Sequence, residues 1–129
     1  MKKILLTLFI ALGALATQAQ EIKWMSMDEA LAAQKKKAKP IFMDVYTDWC
    51  GPCKLLDKRT FQDATVVEYI NTNYYAVKFN AEGQSDVNYK GKKYSNPGYI
   101  ANRKGRNAMH DFTIFLVFCA FPSMVVFVP

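Results

Sequence analysis

Cys50 and Cys53 are separated by Gly51 and Pro52, a spacing at which the first turn of a helix brings two sulfurs within bonding distance. Such a pair can exchange disulfides, provided the attacking sulfur is ionised, because only the thiolate is nucleophilic. A free thiol with a pKa of about 8.5 is roughly 3% ionised at neutral pH, and a pKa of about 7 raises that to roughly half. A helix N-terminus supplies the shift through its unpaired amides and the positive end of its dipole. Pro52 suits a first helical turn, and residues 54–58 accept a helix. Cys50 is therefore expected as the exposed attacker and Cys53 as the residue that resolves the mixed disulfide.

The same spacing also occurs as half of a zinc site. This sequence has no second C-x-x-C, and His110 is its one histidine, so four metal ligands within the chain are not expected. No metal and no cofactor beyond the Cys50–Cys53 pair is expected. Cys119 reads as a free buried thiol, with a second redox partner as the alternative. His110, without a partner nearby in sequence, reads as a surface residue.

The elements that must hold the pair follow from local signals. Residues 21–25 read as a short strand or lead-in. Ser26 and Glu29 form a capping-box pattern for a helix running to about Ala38, stopped by Pro40. Residues 41–46 are apolar except Asp44 and read as a buried strand; residues 47–49 turn into the cysteine helix. Asp63 caps a further helix over 64–71, and residues 74–80 form the next strand, parallel to 41–46. Residues 87–89 and 93–95 flank Lys90-Gly91-Lys92 as a small hairpin. A helix over 108–117 and a strand over 123–128 complete the expected elements.

The formal charge is +6. The basic residues are scattered and not interleaved with aromatic rings, so no nucleic-acid surface is expected. Two of them, Lys2 and Lys3, open a leader pattern: the apolar stretch 4–16 and then Thr17-Gln18-Ala19-Gln20. This reads as a signal peptide over 1–20, followed by one domain over 21–129 in an extracytoplasmic, periplasmic setting. Residues 112–129 carry no charge. Pro122 near the middle of that stretch argues against a membrane span there.

The run Trp49-Cys50-Gly51-Pro52-Cys53-Lys54 resembles the active-site motif of the thioredoxin-like superfamily, and the likeness extends from about Ile22 to the chain end. It implies an α/β, three-layer sandwich. It also implies a buried aspartate at Asp44 that assists proton transfer at the resolving cysteine, a lysine partner at Lys78, and a cis-proline at Pro122. Trp49, Gly51, Pro52, Phe121 and Pro122 would then present the substrate. An acid on a buried strand should by itself have a raised pKa; the alternative is a core acid merely satisfied by Lys78. For Pro122 the alternative is an ordinary trans proline at a strand edge.

Thr60-Phe61-Gln62-Asp63 and Val66 look similar to exported members, above all to the C-terminal domain of the membrane disulfide reductase. That resemblance implies reduction of protein disulfides with electrons from a membrane donor. A disulfide oxidase or isomerase is the nearest alternative, and a non-catalytic binding module with Tyr89, Tyr94 and Tyr99 on its surface is another. The family pattern continues past the cis-proline strand with one more strand and a helix. Both are expected to be missing here, leaving strand 123–128 with an unpaired apolar edge.

Overall fold

The computed structural model describes residues 20–129; the leader expected over 1–20 lies, but for Gln20, outside the described residues. Four strands form the main sheet: β1 (Trp24–Met25), β2 (Ile41–Tyr46), β3 (Tyr75–Asn80) and β6 (Ser123–Phe127), in the order β1-β3-β2-β6. β3 runs parallel to both β1 and β2, and β6 runs antiparallel to β2. The parallel β2–β3 pair is joined by two helices, α2 (Gly51–Arg59) and α3 (Ala64–Asn73), the crossover that parallel strands require.

Side chains alternate along β2, and each face has its own cover. Ile41, Met43 and Val45 are fully buried in one cluster with Val77, Phe79 and Phe112. Met27 and Ala30 of α1 (Met27–Lys36) and the hairpin β4 (Val87–Tyr89) and β5 (Lys92–Tyr94) close that side. Phe42 faces the other way, onto Phe61, Val67 and Ile70. Phe42, Phe61 and Trp24 meet edge to face or tilted, with centroids 5.2–6.5 Å apart, geometries favoured by their ring quadrupoles. Helices thus lie on both faces of one sheet, an α/β sandwich of three layers.

The local signals place most boundaries. Ser26 accepts from the Glu29 amide while the Glu29 carboxylate accepts from the Ser26 amide. Asp63 accepts from the amides of Thr65 and Val66. α1 ends at Lys36, before the expected Ala38, where Lys37 turns extended. In the hairpin, Lys92 belongs to β5 rather than to the turn. Lys90 and Gly91 both have positive φ, 49° and 76°, and a two-residue turn of that kind matches the twist of paired strands.

The C-terminal part departs further. The helix expected over 108–117 is only α4, Asp111–Phe115. His110, expected at the surface, is completely buried, with Nδ1 accepting from the Phe112 amide and Nε2 lying 2.9 Å from the Ser85 carbonyl. Capping by His110 starts the helix there, and Asn107, bonded to the backbone of Ile100, holds the preceding residues in a loop. Cys119, expected buried, is exposed and unpaired among the described residues, because it lies in the segment between α4 and β6. β6 forms one edge of the sheet, and Met124 and Val126 are half exposed.

Candidate active site

The sequence builds the site at the C-terminal end of β2. Asp48 and Trp49 turn the chain, and Cys50 caps α2 with extended backbone. Its sulfur accepts from the Cys53 amide at 3.1 Å, one of the amides a helix start leaves without a carbonyl partner. Pro52, with no N–H to satisfy, occupies the first turn. Cys50 and Cys53 are joined as a disulfide with Cα atoms 5.3 Å apart. The expectation of an exposed Cys50 needs correction for this oxidised state. Cys50 is 2% exposed, like Cys53, since its sulfur turns inward to Cys53 and the Cys53 amide. Gly51 and Pro52 beside it are exposed.

An ionic cluster ties β2 and β3 to the cysteine helix α2. Asp44 and Lys78 are direct partners in the parallel β2–β3 register, so their side chains leave the same face. Lys78 Nζ donates to Asp44 Oδ2 at 2.6 Å and also to Asp57 Oδ1 on α2. Aromatic rings of Trp24, Tyr46 and Phe61 surround the ammonium with centroids 5.0–5.2 Å away, which suits a partly desolvated cation. Asp44 is 1% exposed, and its Oδ1 has no hydrogen-bond partner among the described residues.

Burial pushes the Asp44 carboxyl above the usual carboxylate range, against the opposing pull of Lys78. Burial alone would lower Lys78, but its hydrogen bonds and attraction to Asp44 and Asp57 prevail, and its pKa is raised. The combined effect is an acid that holds its proton longer than an exposed aspartate, beside a cation that stays charged. Such a carboxyl is better suited to hold and pass on a proton than an exposed aspartate is.

Trp49 and Phe121 form the rim. Their rings meet edge to face at 6.2 Å, and the Phe121–Pro122 peptide is cis. The β2–β6 register pairs Val45 with Ser123, which carries Pro122 to the end of β2 from which the cysteine turn departs. The Trp49 indole N–H donates to Glu82 Oε2 at 3.0 Å. The sequence reading missed two contributors. Asp57 was legible, since it follows Cys53 by four residues, one helical turn. Glu82 had no such signal, because it reaches Trp49 from beyond β3.

The Thioredoxin-like family model matches residues 23–116. The chain belongs to the thioredoxin-like family. It is similar to the thiol:disulfide interchange protein DsbD of Ralstonia nicotianae, 42% identical over 48 residues, covering 36% of this chain and 8% of that protein. With DsbD of Citrobacter koseri it is 41% identical over 61 residues, covering 43% of this chain and 11% of the relative. The chain thus spans about a tenth of the length of these curated relatives. A solved oxidoreductase, DsbH, superposes with a TM-score of 0.58 at 18% identity, covering 85% of this chain and 67% of that one. That likeness concerns the thioredoxin-like fold. Among the described residues no group of three or more His, Cys, Asp or Glu side chains is arranged to hold a metal. No helix among them is long and apolar enough to cross a membrane.

Proposed function

We propose that this thioredoxin-like chain is an exported thiol–disulfide oxidoreductase that reduces protein disulfides through Cys50 and Cys53. The observation that carries the reading is the seat of the Cys50 sulfur, at the start of α2 and accepting from the Cys53 amide. In the reduced protein the same place stabilises a thiolate.

Cys50 as thiolate attacks one sulfur of the substrate disulfide. A Cys50–substrate bond forms, the substrate S–S bond breaks, and one substrate thiolate leaves. Asp44 takes the Cys53 proton, and the Cys53 thiolate attacks the Cys50 sulfur. The second substrate thiolate leaves, and the two electrons of the dithiol now reside in the reduced substrate. Lys78 holds Asp44 in place, and Trp49, Gly51, Pro52, Phe121 and Pro122 receive the extended substrate. The cycle closes when a dithiol donor reduces Cys50–Cys53 again. In this reading the donor is a membrane protein; similarity to the thiol:disulfide interchange proteins DsbD supports exchange with a second thiol–disulfide partner. Export, and a domain covering 21–129, rest on the leader pattern of residues 1–20.

Insulin-disulfide reduction in the presence of dithiothreitol tests the reading. Wild type should reduce insulin and Cys50→Ser should not; equal, negligible rates in both would favour a binding module. Equilibration against glutathione then tests direction, and a strongly oxidising potential would point to an oxidase or isomerase instead.

A further inference from the structure

The segment 99–107 lies against the active-site tryptophan, and it is held there by a buried acid. Glu82 is 7% exposed, and its Oε2 accepts both from the Trp49 indole N–H at 3.0 Å and from the Asn107 amide at 2.9 Å. Asn107 in turn closes the segment on itself: its Oδ1 accepts from the Ile100 amide and its Nδ2 donates to the Ile100 carbonyl. Asn96 anchors the approach by donating to the carbonyls of Gly83 and Ala108. One carboxylate therefore fixes both the tryptophan that rims the disulfide and the end of the loop beside it.

That loop is cationic. Arg103, Lys104 and Arg106 are exposed, and none of them forms an ion pair among the described residues. The sequence has no acidic residue between Asp86 and Asp111. The Arg106 guanidinium sits over the Trp49 ring, 4.6 Å from its centroid, while Arg103 lines a cleft of about 160 Å³ with Asp48, Trp49, Tyr99 and Asn107. Lys54, exposed on the first turn of α2, adds a fourth positive charge near the cysteines. The opposing acids are Glu82, occupied by its two donors, and Asp48, which accepts from Asn80. Asp48 and Glu82 share the cleft with Arg103. The positive charge is therefore that of the exposed run 103–106 outside it, whose Arg106 lies on the Trp49 ring itself and acts over a Debye length of about 8 Å at physiological salt.

We propose that the cationic loop 99–107 selects substrates, favouring disulfides flanked by acidic residues through Arg103, Lys104 and Arg106 at the Trp49 rim. This rests on the oxidoreductase reading and names the class of its substrate. The chemical step is the exchange already described; the loop adds electrostatic attraction to the encounter, an effect on association rate that weakens with salt. A polypeptide crossing Trp49 and Phe121 to reach Cys50 has one flank over the arginines, and glutamate or aspartate there meets their fork of donors.

The test uses three disulfide-linked peptides of equal length whose flanking residues are glutamate, serine or lysine. The protein is reduced with dithiothreitol, freed of it, mixed with each peptide in single turnover, quenched with acid and alkylated. The glutamate peptide should react about tenfold faster than the lysine peptide at low salt, and the ratio should approach one at roughly 0.5 M sodium chloride. The double charge reversal R103E/K104E should invert the order of the two peptides, a ratio that does not depend on how fast the variant is overall. A ratio near one at low salt in the wild type, with all three peptides reduced, would overturn the selectivity while leaving the oxidoreductase reading intact. No exchange with any peptide by a protein that melts cooperatively would overturn that reading, and the selectivity with it.

Discussion

Lys78 lies between two carboxylates, Asp44 on the neighbouring strand and Asp57 on the cysteine helix, and donates to both. The two acids have different surroundings: the Asp44 side chain is 1% exposed and that of Asp57 is 45% exposed. Burial raises the pKa of Asp44 above its ordinary value. One ammonium is thus shared unequally, between a buried carboxylate and a half-exposed one.

Asp44→Asn separates stability from activity. The folded pKa of Asp44 is raised above its unfolded value, so the native state holds the proton longer than the unfolded chain does. Stability on this account falls as pH rises from about 3.8 through the folded pKa. The amide removes that loss, so in urea unfolding the stability of the variant relative to wild type should rise as pH rises through that range. Its insulin-reduction rate should drop on the order of a hundredfold. A stability difference that stays constant with pH, in a fully active variant, would contradict both expectations.

Asp57→Asn tests the unequal sharing. The Asp57 charge helps hold Asp44 up, and its removal leaves Lys78 with a single acid. The Asp44 pKa should fall, moving the acidic limb of the pH–rate profile to lower pH with little loss of maximal rate. An unmoved profile would show that Asp57 only fastens the helix to the sheet.

His110 predicts acid sensitivity. Burial lowers its pKa, opposed by the Ser85 carbonyl and by the acids Asp111 and Asp86. The neutral ring is the one that caps α4, because Nδ1 must accept from the Phe112 amide. Its contribution is present above about pH 6.5 and is lost as pH falls from there toward the folded pKa. His110→Asn keeps an acceptor at the cap without this titration. The difference between wild-type and variant urea midpoints, followed from pH 7.5 to about 5, should shift in favour of the variant as acid is added. A constant difference would exclude the effect.

Val117 has φ 61° and is 84% exposed. The left-handed region costs a side chain with a Cβ about 1–2 kcal/mol, and a β-branched residue there is an outlier. Glycine relieves that cost but adds about 0.5–1 kcal/mol of unfolded-chain entropy. Val117→Gly should leave the melting temperature unchanged or raise it by a few degrees, which calorimetry measures. A clear loss would mean that the side chain makes a contact its exposure does not reveal.

Legibility in the sequence followed the range of the interactions. The capping residues Ser26 and Asp63 act within four residues, and both helix starts were readable from them. Strand 41–46 was readable because its apolar run is broken only by Asp44. The Cys50–Cys53 pair needed only a helix turn. His110 was misjudged because its partners, Ser85 and Phe79, come from a different part of the chain, and no local pattern announces a ring buried that way. Glu82 was overlooked for the same reason, being drawn into the site across 33 positions by the indole of Trp49. Asp57 is the exception, since its spacing from Cys53 was local and still went unused.

The alternation of β2 gives this strand two separate histories to write. Ile41, Met43 and Val45 answer only to the apolar cluster beneath them, while Asp44 answers to Lys78 across the sheet. Drift among aliphatic residues at the first three positions can adjust the protein's resistance to heat without altering the proton-handling side. Changes around Asp44 can adjust its acidity without loosening the packing below. A single six-residue segment lets selection tune durability and chemistry one at a time.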